Sequence, residues 1–120
     1  MSELNSFGEV LSYAISLEHT LQTYYTNAGN LARAKEAERR KIKLERTRRE
    51  NVLEITLEPI EGLNGNDFTL DLENISDEGQ RMIEETAARF YAAAAPKINV
   101  LQAQRDLERV GKQHEALAGA

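Results

Sequence analysis

Four stretches of this chain place apolar residues at three- and four-residue steps, and the connections between them run short, long, short. That spacing is the signature of helices that each bury one face. The first stripe, Phe7, Val10, Leu11, Ala14, Leu17, Leu21, Tyr24, Tyr25 and Ala28, predicts a helix over about 7–26, closed by Gly29. A second helix, over about 31–57, carries Leu31, Ala34, Ala37, Leu44, Val52 and Ile55, and Pro59 marks its stop. Residues 59–76 hold Gly62, Asn64, Gly65 and Asn66, with Phe68, Leu70 and Leu72 in extended alternation. Ser76 or Asp77 is placed to cap a third helix reaching about Ala95, with Met82, Ile83, Ala87, Phe90, Tyr91 and Ala94 on one side. Pro96 is suited to open the first turn of a fourth, which runs to about Leu117 with Leu101, Leu107, Val110 and Leu117 facing inward. The expected fold is therefore all-α, a four-helix bundle of two hairpins (about 7–57 and 77–117) joined by a long crossover over 59–76.

The length of 120 residues suits one domain spanning 1–120. The chain has no cysteine, which excludes disulfides, thiolate-held zinc or iron–sulfur clusters and a thiol nucleophile, and agrees with a reducing, cytoplasmic setting. No apolar run reaches the roughly 18–20 residues a membrane span requires, and no charged-then-apolar leader opens the chain. The net charge of −5 hides a strong asymmetry. Residues 33–49 carry nine basic side chains against three acidic ones, whereas residues 50–85 carry eleven acidic ones against Arg81 alone. The basic run lacks the interleaved aromatics of a nucleic-acid surface, so nucleic acid is not an expected partner. A solvated helix face answered by the chain's own acidic half is the simpler expectation.

The inner stripes carry polar residues. Glu18 lies between Ala14, Leu21 and Tyr25, Glu84 between Ile83, Ala87 and Tyr91, Arg48 between Leu44 and Val52, and His114 between Val110 and Leu117. Such groups are costly in a core unless paired, hydrogen-bonded or metal-bound. They also repeat. A shift of 66 residues brings Glu18 onto Glu84, Thr20 onto Thr86, Tyr25 onto Tyr91, Ala28 onto Ala94, Ala37 onto Ala103 and Arg39 onto Arg105 without a gap. The two hairpins are the two copies.

In Glu18-x6-Tyr25 and Glu84-x6-Tyr91 the chain resembles the ferritin-like superfamily, and within it the small rubrerythrin-like proteins. The resemblance implies that each of these glutamates binds or bridges metal, and that the second helix of each hairpin adds a Glu-x-x-His pair. By the repeat, those pairs fall on Glu45-x-x-Arg48 and Gly111-x-x-His114. The implied ligands present are thus Glu18, Glu45, Glu84 and His114, for iron or another divalent transition metal, with Tyr25 and Tyr91 supporting the carboxylates. Two departures weaken that set: Arg48 is a permanent cation that cannot bind metal, and Gly111 supplies no carboxylate. Without cysteine there is also no rubredoxin-type domain, so an electron-transfer peroxidase of the rubrerythrin kind is not expected.

The alternative is a metal-free core, in which Arg48 replaces the metal's charge and ties the facing carboxylates together. On that expectation Arg48→Ala removes about 3–5 kcal/mol of stability. Glu45, one residue off Leu44, is also placed to pair with Arg49 outside the core, and His19 should face solvent. No phosphate loop, nucleophile elbow or His-Glu-x-x-His is present. Two functions remain open: a divergent iron-binding bundle, or a non-enzymatic helical structural or interaction module. In either case a homo-oligomer is expected, with the apolar crossover residues Leu63, Phe68, Leu70 and Leu72 either at a subunit contact or packed on the chain's own bundle.

Overall fold

The structure is a computed structural model that describes residues 3–51 and 60–120. It comprises four helices: α1 (Phe7–Asn27), α2 (Leu31–Asn51), α3 (Asp77–Ala94) and α4 (Leu101–Ala118). Among the described residues there is no strand, only an isolated bridge between Glu3 and Asn64. The chain packs as the expected pair of hairpins, α1 on α2 and α3 on α4. No described helix is long and apolar enough to cross a membrane.

The helix ends follow local chemistry. The Ser6 hydroxyl accepts from the Glu9 N–H at 3.1 Å, and Glu9 reaches back to the Asn5 N–H at 2.8 Å. Gly29, at φ 77°, turns the chain out of α1 toward α2. Ser76 caps α3 through the Gly79 N–H at 3.1 Å. Pro96 does not open α4. It sits in a 3-10 turn over Ala95–Lys97, and α4 begins at Leu101, which is 58% exposed rather than inward-facing. Leu31 and Met82 are likewise exposed, and Leu117 is only partly covered. The predicted end of the second helix, with Val52, Ile55 and Pro59, lies outside the described residues.

The described part of the crossover runs the length of α1. It starts beside the head of α1, where the Ile60 N–H donates to Asn5 O at 2.8 Å and the Leu4 N–H to Leu63 O at 2.9 Å. It ends beside the tail of α1, where the Tyr24 hydroxyl donates to Asn74 O at 2.6 Å. Helix α3 therefore starts where α1 ends and runs antiparallel to it. Leu63 and Phe68 are buried, with Phe68 edge-on to Phe90 at 5.4 Å, and Leu70 packs against the core. Their role is intramolecular; Leu72 alone of the four stays exposed. Antiparallel α1 and α3 bring the two Glu-x6-Tyr motifs face to face, which sets up the centre of the bundle.

A buried ionic cluster at the centre of the bundle

The two motifs interlock. Tyr91 at the tail of α3 donates to Glu18 Oε2 at 2.6 Å, and Tyr25 at the tail of α1 donates to Glu84 Oε2. Each glutamate is thus held by the tyrosine of the other hairpin. His114 from α4 lies between the carboxylates, Nε2 at 2.7 Å from Glu18 Oε2 and Nδ1 at 2.5 Å from Glu84 Oε1. Its ring stacks on Tyr91, with centroids 5.5 Å apart and planes 10° from parallel. Arg40 from α2 completes the group, donating from Nε to Glu18 Oε1 at 2.8 Å. Glu18, Glu84 and His114 are fully buried, and Arg40 is 3% exposed.

All four carboxylate oxygens consequently face a protein donor. Both nitrogens of His114 can donate at once only in the imidazolium form. Burial works against that charge, but the bonds and charges of Glu18 and Glu84 outweigh it and lift the His114 pKa above its ordinary value. Burial alone would raise Glu18; His114, Arg40 and Tyr91 together hold its pKa below the usual carboxylate range. Tyr25 and Tyr91 are pushed up, first by burial and then by the carboxylates they touch, and remain protonated donors. With His114 as the imidazolium, its charge and that of Arg40 would offset two facing carboxylates.

Of the residues expected at this centre, the structure brings together Glu18, Glu84, His114, Tyr25 and Tyr91. It leaves out Glu45, which is exposed, and Arg48, which is half-buried with Nε 3.5 Å from Gly8 O at the head of α1. The charge-balancing role expected of Arg48 belongs to Arg40. His19 is exposed as expected, 3.3 Å from Lys41 Nζ. Helix α2 buries Ala37, Arg40, Leu44 and Thr47, a row that passes one residue to the side of Arg48. The signal was present: Arg40 stands three after Ala37 and four before Leu44, filling the gap in that stripe.

The partner of Arg40 under the 66-residue shift is Asp106, also buried and also missed. Asp106 accepts from the Thr47 hydroxyl at 2.7 Å and from Gln102 Nε2 at 3.1 Å, with Lys43 Nζ at 3.7 Å. Gly111 has a packing reason. A Cβ there would stand 2.8 Å from Tyr91 Cβ, so α4 can lie this close to α3 only without a side chain at 111.

The donor set does not fit a metal ion in this arrangement. The two nitrogens of His114 face different carboxylates instead of one common point, and every oxygen of Glu18 and Glu84 is engaged. Among the described residues no group of three or more His, Cys, Asp or Glu side chains is set to hold a metal ion. No protein-family model, curated protein or solved structure matches this chain.

Proposed function

We propose that this chain is a non-enzymatic helical module, of ferritin-like descent, in which the former dimetal positions have become a structural ionic core. The observation that carries the reading is the saturation of Glu18 and Glu84 by Tyr91, His114, Arg40 and Tyr25, which balances two buried carboxylates without a metal ion. A dication would have to displace His114 or Arg40 and would leave Arg40 as an uncompensated buried cation, a costly exchange. On this reading the chain acts through its outer faces, in a cytoplasmic setting, as a homo-oligomer. Among the described residues the exposed Leu31, Ile42, Leu72, Ile75, Met82 and Leu101 are the large apolar side chains available for such contacts.

Loading with iron(II) or manganese(II), followed by gel filtration and elemental analysis, tests the proposal. The expected result is well below one metal per chain and an unchanged melting temperature. A stoichiometric metal that is lost in Glu84→Gln would establish the divergent metal centre instead. Sedimentation of the metal-free chain tests the oligomer separately, and a monomer at all concentrations would remove that part.

A further inference from the structure

Among the described residues the basic run on α2 is only partly answered by the acidic half of the chain. Among the described residues its ion pairs go to Glu18, Asp106 and Glu50, and none goes to the acidic stretch over 60–85. The side chain of Arg39 has no hydrogen bond or ion pair among the described residues. It stands beside Arg40 and Lys43 on the wall of a cleft of about 430 Å³ between α2 and α4. Arg40 is the unusual member. It is nearly fully buried, spends Nε on Glu18, and has Nη2 enclosed by protein without a hydrogen-bond partner. A buried guanidinium donor without an acceptor is costly, and because Arg40 also lines the cleft its charge favours an oxyanion there. Lys43 adds a second mobile cation, tied to Asp106 only at 3.7 Å. Gln113, on α4, adds an amide donor, and Glu36 is the single acid in the lining. Ala116 and Leu117 make the remaining wall apolar.

We propose that this cleft binds a small organic oxyanion, a phosphate monoester or a carboxylate, with its charged end toward Arg39, Arg40 and Lys43 and its apolar body against Ala116 and Leu117. The cleft volume falls in the range of small-molecule sites. The lining, with three cations and Glu36 on the α2 side and an amide with two apolar residues on the α4 side, matches an amphipathic anion better than a bare inorganic one. The proposal concerns the outer side of Arg40 and holds whether or not the buried cluster is metal-free.

The test is a titration of the isotope-labelled full chain followed by NMR at the Arg40 Nε–H and the Gln113 side-chain amide. The probes are inorganic phosphate, phenyl phosphate and benzoate. Saturable shifts at both groups are expected, with phenyl phosphate binding about tenfold more tightly than inorganic phosphate through the area its ring buries. Tighter binding of phenyl phosphate than benzoate assigns a phosphate monoester, and the reverse assigns a carboxylate; either supports the site. The double variant Arg39→Gln, Lys43→Gln should weaken binding by about tenfold or more, while Glu36→Gln, which removes the opposing charge, should tighten it. Non-saturating shifts, or equal affinity in the parent and both variants, would overturn the proposal.

Discussion

The two hairpins carry matching residues under the 66-residue shift and use those positions differently. In α4 two adjacent rows face inward: Ala103, Asp106 and Val110, and beside them Leu107, Gly111 and His114. In α2 only the first row is buried, as Ala37, Arg40 and Leu44. The second row reads Lys41, Glu45 and Arg48 there, and none of the three is buried. Three charged side chains at that register cost too much to bury, so α2 turns the row toward solvent and the head of α1. Leucine and glycine cost little and His114 is paired with Glu18 and Glu84, so α4 turns the same row in. The lesson is that a duplicated motif does not guarantee a duplicated site. The rotation of each helix about its axis is set by the whole row, and the ligand position moves with it.

The difference between Arg40 and Asp106 gives the largest expected effect. Arg40→Met strands Glu18 beside His114 in a fully buried setting and should cost about 3–5 kcal/mol by chemical denaturation. Asp106→Asn can keep the hydrogen bond to Thr47 but loses the one accepted from Gln102 and the long contacts to Lys43 and Arg109, all partly exposed, so about 1 kcal/mol is expected. Equal losses in the two variants would show that the hairpins are energetically alike and break the comparison.

Where the hairpins do agree, the effects should agree. Tyr25→Phe and Tyr91→Phe each remove one hydroxyl donor to a buried carboxylate, and each should cost about 1.5–3 kcal/mol, with coupling between them because the carboxylates share His114. A double-mutant cycle reads this; strict additivity would mean the two halves of the cluster are independent.

Acidity probes both halves at once. Glu18 is held below its ordinary range, so its contribution is present above the unfolded carboxylate pKa of about 4.3 and fades as pH falls through the folded value. His114 is lifted, so its contribution is complete below the unfolded histidine pKa of about 6.5 and fades as pH rises through the folded value. Stability should therefore peak between roughly pH 4.5 and 6.5 and decline on both sides. In His114→Gln the alkaline decline should vanish while the acid one persists; melting curves against pH decide it.

The smallest effect is expected at Arg48. Its contact to Gly8 O is long and half-buried, so Arg48→Ala should cost under about 1 kcal/mol. A loss near that of Arg40→Met would return the core role to Arg48.

Much of this was legible in the sequence. Periodicity gave the helices, loop lengths gave the hairpins and crossover, and the repeat brought Glu18, Glu84, Tyr25, Tyr91 and His114 into one centre. Those features depend on local spacing, which a linear pattern records. Arg40 and Asp106 escaped because charged residues are ordinarily assigned to the surface, and only a partner 22 residues away on another helix makes Arg40 tolerable inside. Arg48 was misplaced for the complementary reason: positions 47 and 48 both follow Leu44 at helical spacing, and sequence spacing alone does not choose between them.

The amino-acid sequence by itself determined four amphipathic helices in two repeated hairpins, because apolar spacing and turn chemistry act over a few residues. Only the tertiary structure decided the helix rotations, the exchange of Arg48 for Arg40 and the placing of His114 between two glutamates. Those outcomes depend on which side chains can neutralise one another once water is removed, and that is settled between helices, not within them.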